Sequence, residues 1–359
     1  MSTDVTSRKD ELDEAINQPL SAQRLPRWTP WAVLAVSVVL ALAVTWPAGA
    51  PLGGVAVVAI VLNLVLTAVV STAREGSRKA KDRVATTLVT TAFAVALVPL
   101  VSVVWTVVTQ GATRFDAQFF TWSMRGVVGE GGGALHAIWG TVIVTLLATL
   151  ISVPIGLLAA VYLVEYGRGR LKRWITFLVD VMTGIPSIVA GLFAVAVFVL
   201  FAGPGVRLGI MGAIALSVLM IPVVVRSTEE MLKLVPHELR EASYALGVPK
   251  WRTIVKVVLR TSVSGIATAI TLAVARVAGE TAPLLITLGL TTGTNFNPFE
   301  GRMATLPVFT YYQYTQPGVP PEFAIDRAWT AALVLIILVM ALNLVARLIS
   351  RFFSPKGGR

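Results

Sequence analysis

Residues 136–162 read HAIWGTVIVTLLATLISVPIGLLAAVY. No Asp, Glu, Lys or Arg interrupts the run, and a helix needs about 20 apolar residues to cross about 30 Å of hydrocarbon, so the stretch reads as a membrane span. Seven further segments meet the same requirement, approximately Trp28–Trp46, Leu52–Val70, Ala85–Val108, Ile175–Phe201, Leu208–Val225, Ser262–Ile286 and Trp329–Ile349. The first two are joined only by the Pro47–Pro51 turn, which makes them a helical hairpin. The expected fold is an all-α polytopic membrane protein with about eight transmembrane helices. Neither a 20–50-residue repeat nor an inverted repeat of the secondary-transporter kind is visible.

Composition points the same way. Of 359 residues, 55% are hydrophobic and 14% charged, against about 45–50% and 25% in ordinary soluble domains. The formal charge of +11 raises the question of nucleic acid, but the bases lie in short clusters between apolar runs. A mean hydropathy of +0.78 leaves little polar chain for a basic binding face, so no nucleic-acid partner is expected and the lipid bilayer is the better one. With no cysteine and only His136 and His237, there is no disulfide framework, no thiolate nucleophile and no set of metal ligands.

Orientation follows from where the bases fall, since Lys and Arg concentrate on the cytoplasmic side. Of the 30 Lys and Arg residues, 24 lie on the side of the N-terminus and five, Arg114, Arg125, Arg207, Arg302 and Arg327, on the other; Arg276 alone falls within a span. Both termini are therefore expected in the cytoplasm of a multi-pass cell-membrane protein. Residues 1–27 mix acids and bases without an apolar cluster and read as a disordered cytoplasmic tail, with no secretory-signal pattern. Two long outer loops, about Thr109–Leu135 and Gly289–Arg327, are of a length that is usually functional or partner-bound.

The loop after the sixth span reads VPHELREASYALGVPKWR over residues 235–252. Pro236 suits a helix start and Gly247 the left-handed residue that stops one, so the spacing predicts a helix of about eleven residues, roughly 16 Å, between them. Leu239, Ala242, Ser243 and Leu246 then share a small apolar face. Such a helix either lies on lipid, held by its bases, or docks into a protein groove; lipid binders prefer bulkier residues than these, and the residues alone leave both readings open.

ARVAGETAP, residues 275–283, lies near the middle of the seventh span. An arginine at that depth costs roughly 2.5–3.5 kcal/mol and normally faces a bundle interior or an aqueous path. Arg276 and Glu280 are four apart and fall on one helix face, so a private ion pair is the plain alternative to a role in passage. Pro283 cannot donate to the carbonyl of Gly279, which loosens the helix at the same joint. Elsewhere Pro186 and Gly191 suit a kink with Ser187 back-bonding the freed carbonyl, Arg226 suits snorkelling at an interface, and Asp180 suits a partner in a basic loop. Trp28, Trp31 and Trp46 read as an interfacial belt.

Glu241-Ala242-Ser243, followed by Gly247 and a basic, aromatic stretch, resembles the EAA loop of ABC importer permeases, departing from it at Arg260, where the pattern has proline. The Arg276 to Pro283 block resembles the R-x-x-GETAP signature of phosphate-specific (Pst) importer membrane subunits. Gly184 to Gly191 is similar to that family's G-x-PSI-x-x-G segment, Pro222 to Glu230 to its P-x-x-x-R-[ST]-TEE segment, and Leu163-Val164-Glu165-Tyr166 also fits. The likeness covers about residues 85–350 and is greatest to the A subunit of the permease pair.

That resemblance implies a type I ABC importer permease, 85–359 with a transmembrane core of about 136–350, preceded by an extra hairpin with a basic loop at 28–84. It implies phosphate as the substrate, with Arg276, Glu280, Thr281, Arg226, Arg260 and Ser187 along the path and Glu241, Ala242, Ser243, Leu246 and Gly247 in the ATPase-coupling loop. It further implies a homologous Pst permease subunit, an ATP-binding subunit dimer and an extracytoplasmic phosphate-binding protein as partners. No G-x-x-x-x-G-K-[ST] loop occurs, so this chain binds no cofactor itself and magnesium-ATP belongs to a partner; the chain is not an enzyme in its own right. An importer for another oxyanion or small solute is the nearest rival. A secondary transporter or channel would have no use for the docking helix, and a membrane enzyme would lack its reactive groups.

Overall fold

The computed structural model describes residues 25–47 and 49–353; the expected tail falls almost wholly outside them, as does the C-terminal end. Two compact units divide at Val104 and Trp105. The division expected at 84/85 was one of family likeness, and by contact the start of the third span groups instead with the hairpin.

The first unit holds α1 (Thr29–Thr45), α2 (Leu52–Glu75) and most of α3 (Ser77–Gly111). α1 buries Val33, Ser37, Ala41 and Thr45, four apart along one stripe. Small residues let helices approach closely in lipid, where burying larger apolar groups gains little. Their hydroxyls stay satisfied within the helix, Ser37 Oγ donating to Val33 O at 2.7 Å and Thr45 Oγ1 to Ala41 O at 2.6 Å. At the far end of the hairpin the buried Glu75 carboxylate accepts from Arg83, from Ser71 Oγ at 3.1 Å and from the Leu25 N–H at 2.8 Å. Trp28, Trp31 and Trp46 are all exposed, as interfacial rings would be.

The second unit contains α4 (Ala117–Thr121), α5 (Leu135–Val161) with a π turn at Tyr162–Tyr166, α6 (Gly169–Thr183), α7 (Ser187–Ala202), α8 (Gly209–Lys233), α9 (His237–Ala245), α10 (Lys250–Thr253) with a π turn at Ile254–Val258, α11 (Leu259–Ala278), α12 (Ala282–Thr287), α13 (Leu306–Thr315) and α14 (Glu322–Phe353). α5 and α8 form its centre. Ser217 Oγ reaches Ala148 O at 3.4 Å, Ser152 Oγ reaches Ser217 O at 3.5 Å, and Gly156 lies against Val224. Position rises together along both helices, so they run parallel.

A parallel pair requires the chain between them to return across the bundle. α6 and α7 do this in two pieces bent by 110°. The Ile175–Phe201 segment is therefore a broken span rather than one helix. Its break falls at Gly184–Pro186, where proline withholds an N–H and biases the preceding residue away from helix. The Ser187 back-bond is not formed; Ser187 opens α7 after an extended Pro186. The Ser262–Ile286 segment is also two pieces, since α11 ends at Ala278 and α12 starts at Ala282. Among the described residues six helices are long and apolar enough to cross a bilayer, the bent pair makes a seventh crossing, and α1 is a shorter apolar helix.

The two outer segments are more folded than loops. Asp116 caps α4 by accepting from the Phe119 N–H at 2.8 Å and pairs with Arg114 at 3.1 Å. Burial would raise the Asp116 carboxyl, but these bonds hold it below the usual carboxylate range. α13 tucks into the bundle, its first N–H, on Leu306, donating to Thr141 Oγ1 at 2.8 Å. Arg327, expected in a loop, lies inside α14 and donates to Gly129 O, Gly131 O and Gln313 Oε1 at 2.7, 3.1 and 3.0 Å.

Gly140 is the tightest point: a Cβ there would lie 1.9 Å from the Ala304 carbonyl oxygen, whereas one on Gly293 meets nothing within 4 Å. Gly140→Ala is expected to destabilise the protein by about 1–3 kcal/mol. Gly293→Ala should leave the thermal melting curve of the purified protein where it is.

Candidate functional site

α11 runs unbroken until it meets the GETAP block. Ala273 and Val277 are buried in the same cluster as Ala213, Leu216 and Met220 of α8, which fixes the helix end within the bundle. Gly279 and Glu280 then leave the helix through two bonds, Gly279 N to Arg276 O at 3.4 Å and Glu280 N to Val277 O at 3.2 Å. Pro283, the second residue of α12, has no N–H to continue the ladder, so a new helix starts instead.

This joint abuts the other break. A Cβ on Gly191, one turn into α7, would lie 2.8 Å from Pro283 Cα and 3.0 Å from its carbonyl oxygen. Only glycine permits that approach. Two short helices therefore begin side by side inside the bundle, with Ser187 and Thr281 half-buried at their starts. Gly212 of α8 receives Leu284 of α12 and Leu288, just past its end, in the same way.

Arg276 sits in the last turn of α11, exposed on this chain, and Glu280 is half-buried beyond the helix end. The two do not share a helix face, and no ion pair joins them. Neither side chain has a hydrogen-bond or ion-pair partner among the described residues. Arg260, also exposed, is likewise without one.

Arg226 is differently placed. Its guanidinium is held by Asp180 of α6 and by Glu229 at 2.8 Å, and Glu229 in turn takes Lys233 at 2.7 Å. Asp180 thus partners a neighbouring helix, not a basic loop. Glu229 is buried while Arg226, Asp180 and Lys233 are partly exposed, and the chain of charges acts as a brace between α6 and α8.

The loop helix forms where expected but shorter. α9 covers nine residues with Pro236 as its N-cap instead of its first residue. It rises about 14 Å. Gly247, at φ +72°, closes it: Gly247 N bonds Tyr244 O at 2.9 Å and Val248 N bonds Ser243 O at 3.2 Å. This is the Schellman arrangement that consumes the last carbonyls. Glu241, Ala242, Leu239 and Leu246 are exposed, Leu246 at 83%. Ser243 is not part of that face. It turns inward and shares a 2.8 Å hydrogen bond with Thr253 Oγ1, because the packed arc of the helix centres between positions 240 and 243.

Arg240, Glu165 and Thr253 hold α9 in place; Glu165 was quoted from sequence only within the Leu163–Tyr166 segment, and the other two were not singled out. Arg240 lies next to the apolar face on a helical wheel, and its partner is 75 residues away. The only available signal was an arginine on the inward side of a helix whose free face is already occupied by other residues.

Residues 152–357 match the family model described as binding-protein-dependent transport system inner membrane component. That places the chain in the class of ABC importer permeases. It is 47% identical over 287 residues to the phosphate transport system permease protein PstA 1 of Mycobacterium tuberculosis H37Rv, covering 79% of this chain and 91% of that one. With PstA of Pasteurella multocida it shares 40% identity, covering 78% and 96%. A chain of the inward-facing MetNI methionine ABC transporter shares the fold, with a TM-score of 0.52 at 22% identity over 62% of this chain and 96% of that chain. The chain belongs to the PstA family of phosphate transport system permeases.

Because Arg276 has no internal partner, replacing it should cost little stability. Arg276→Met is expected to shift folding stability by less than about 1 kcal/mol, whereas removing one member of a buried ion pair costs about 3–5 kcal/mol. Thermal melting of the purified complex checks this.

Proposed function

We propose that the chain is one half of the translocation path of an ATP-driven inorganic phosphate importer in the cell membrane, with both termini cytoplasmic. The other half is a homologous permease subunit. Magnesium-ATP is bound and hydrolysed by a separate ATPase pair, and phosphate arrives from an extracytoplasmic binding protein.

The observation that carries this reading is the unpaired guanidinium of Arg276 at the joint of α11, α12 and α7. An arginine left uncompensated in an apolar bundle is costly unless it faces an aqueous path. Its planar fork of donors matches phosphate oxygens, and it is always charged. Half-helices whose N-termini start within a bundle add partial positive charge, and Ser187 at the start of α7 stands there. Glu280 filters: its carboxylate accepts a hydrogen bond from the proton that phosphate still carries at neutral pH and that sulfate lacks. Thr281 adds a hydroxyl at the same joint. Arg260 extends the route towards the inner mouth, while Arg226 would first have to leave two carboxylates.

α9 is the coupling element. Its free face, with Glu241, Ala242 and Leu246, docks on the ATPase, and Gly247 fixes its end. ATP binding then favours one orientation of the path by contacting the two orientations differently.

Uptake of radiolabelled phosphate by the reconstituted complex, with sulfate as competitor, tests the reading. Arg276→Lys keeps the charge and loses the fork, so uptake should fall by about tenfold or more while assembly survives. Glu280→Gln should weaken discrimination against sulfate. Near-normal uptake by the Arg276→Met, Glu280→Leu double variant would sink the substrate-contact assignment.

Gly247→Val tests coupling separately. A Cβ there meets nothing within 4 Å, so the strain is purely that of a β-branched residue at positive φ. ATP hydrolysis is expected to lose its stimulation by loaded binding protein. Topology has its own check: an impermeant thiol reagent should label Asn297→Cys from outside the cell, and labelling only from the cytoplasm would overturn the map.

A further inference from the structure

We propose that Arg240 and Glu165 form the positioning pair that fastens the coupling helix α9 to α5, so that displacement of α9 reaches the end of α5 through this bond set. The proposal rests on the coupling role given to α9 above.

Arg240 is only 7% exposed, although it belongs to a nine-residue helix on the edge of the bundle. Every nitrogen of its guanidinium is engaged. Nε and Nη2 donate to Glu165 Oε1 at 3.0 and 2.9 Å, Nη2 also reaches Leu232 O at 3.0 Å, and Nη1 donates to Val235 O at 2.6 Å and Pro236 O at 3.4 Å. One side chain thus joins α9, the end of α8 and the end of α5. Both charged groups are enclosed, with side-chain exposures of 9% for Arg240 and 6% for Glu165. An enclosed pair is geometrically exacting, and removing either member leaves a buried charge uncompensated.

The place where Glu165 sits sharpens the assignment. It lies in the π turn Tyr162–Tyr166 that ends α5. Lys250, at the start of α10, donates to the Glu165 carbonyl and lies 4.8 Å over the Tyr166 ring. On the other flank Ser243 bonds Thr253, which directly precedes the second π turn, Ile254–Val258. π turns are rare and concentrate at functional positions. Here two of them lie beside one short helix, the first tied to it through Glu165 and the second reached through Thr253 at its N-cap. The pair is therefore a connection between a moving part and a locally distorted helix end, with the docking face of α9 left free.

The test uses the full complex in liposomes with partner permease, ATPase and phosphate-binding protein. Arg240→Lys keeps the charge without the fork, Glu165→Gln keeps the acceptor without the charge, and Glu165→Arg with Arg240→Glu exchanges the two. The single variants are expected to co-purify with the ATPase and hydrolyse ATP at the basal rate, yet lose about fivefold or more of the stimulation by phosphate-loaded binding protein. The exchanged variant should regain part of it. Full stimulation in both single variants overturns the proposal. Loss of ATPase co-purification in the single variants, unrepaired by the exchange, overturns it as well, since the pair would then only hold the fold. If the unmodified complex itself shows no stimulation by loaded binding protein, the reading of the chain as a coupled importer fails instead.

Discussion

Two helices in lipid gain nothing by burying leucine, because the tails they leave are as apolar as the side chains they meet. Close backbone approach is what remains, and α5 and α8 are built for it. Gly156 admits Val224, and Ser152 and Ser217 bond across the seam, while Gly140 of α5 lets the chain at Ala304, beyond α12, come equally close. The direction of that packing dictates the rest. Parallel neighbours need a return crossing, α6 and α7 supply it in two pieces, and the bend between the pieces leaves the start of α7 inside the bundle. Gly212 then seats α12 on α8, which brings Pro283 against Gly191.

The charges of the chain sort into those that hold structure and those that do not. Arg83, Arg226, Arg240 and Arg327 are each held by carboxylates or carbonyls, and for Arg240 and Arg327 these come from distant parts of the sequence. Arg276 and Arg260 have no such enclosure. Paired charges in a low-dielectric interior are fixed in place by the cost of separating them. An unpaired one is available to something that arrives from elsewhere. Arg240 and Arg276, thirty-six positions apart in one unit, are the two extremes of that contrast, one fully engaged and buried, the other exposed and without a partner among the described residues.

Much of the fold was legible in the sequence because hydrocarbon thickness sets a length that apolar runs must match. The His136–Tyr162 run became α5, and Gly247 ended its helix at positive φ, since both follow from local rules. The breaks were only half legible. Pro186 and Pro283 marked the positions, but a proline in a membrane helix can kink, loosen or end it, and the 110° turn was decided by where α8 had to start. Ser243 was misplaced because periodicity gives a face without saying which side of it packs. The Arg276–Glu280 spacing suggested a pair only as long as the helix continued, and it does not. The Arg240–Glu165 bond was out of reach, since a contact across 75 positions leaves no trace in a single sequence.

The parallel arrangement of α5 and α8 also bears on how the chain is made. As synthesis proceeds, α5 enters the bilayer well before α8 exists, and the segment between them must cross back first. During that interval Ala148, Ser152 and Gly156 form a bare seam, with its helix partner still unsynthesised. The α6–α7 crossing meanwhile contains an unwound stretch at Gly184–Pro186, whose open backbone groups are poorly tolerated in hydrocarbon without protein around them. Insertion and folding are thus separated in time, and a chain halted between Ala202 and Lys233 would display an adhesive groove to any small-residue helix nearby. Membrane quality control has a defined window, and a defined surface, on which to act.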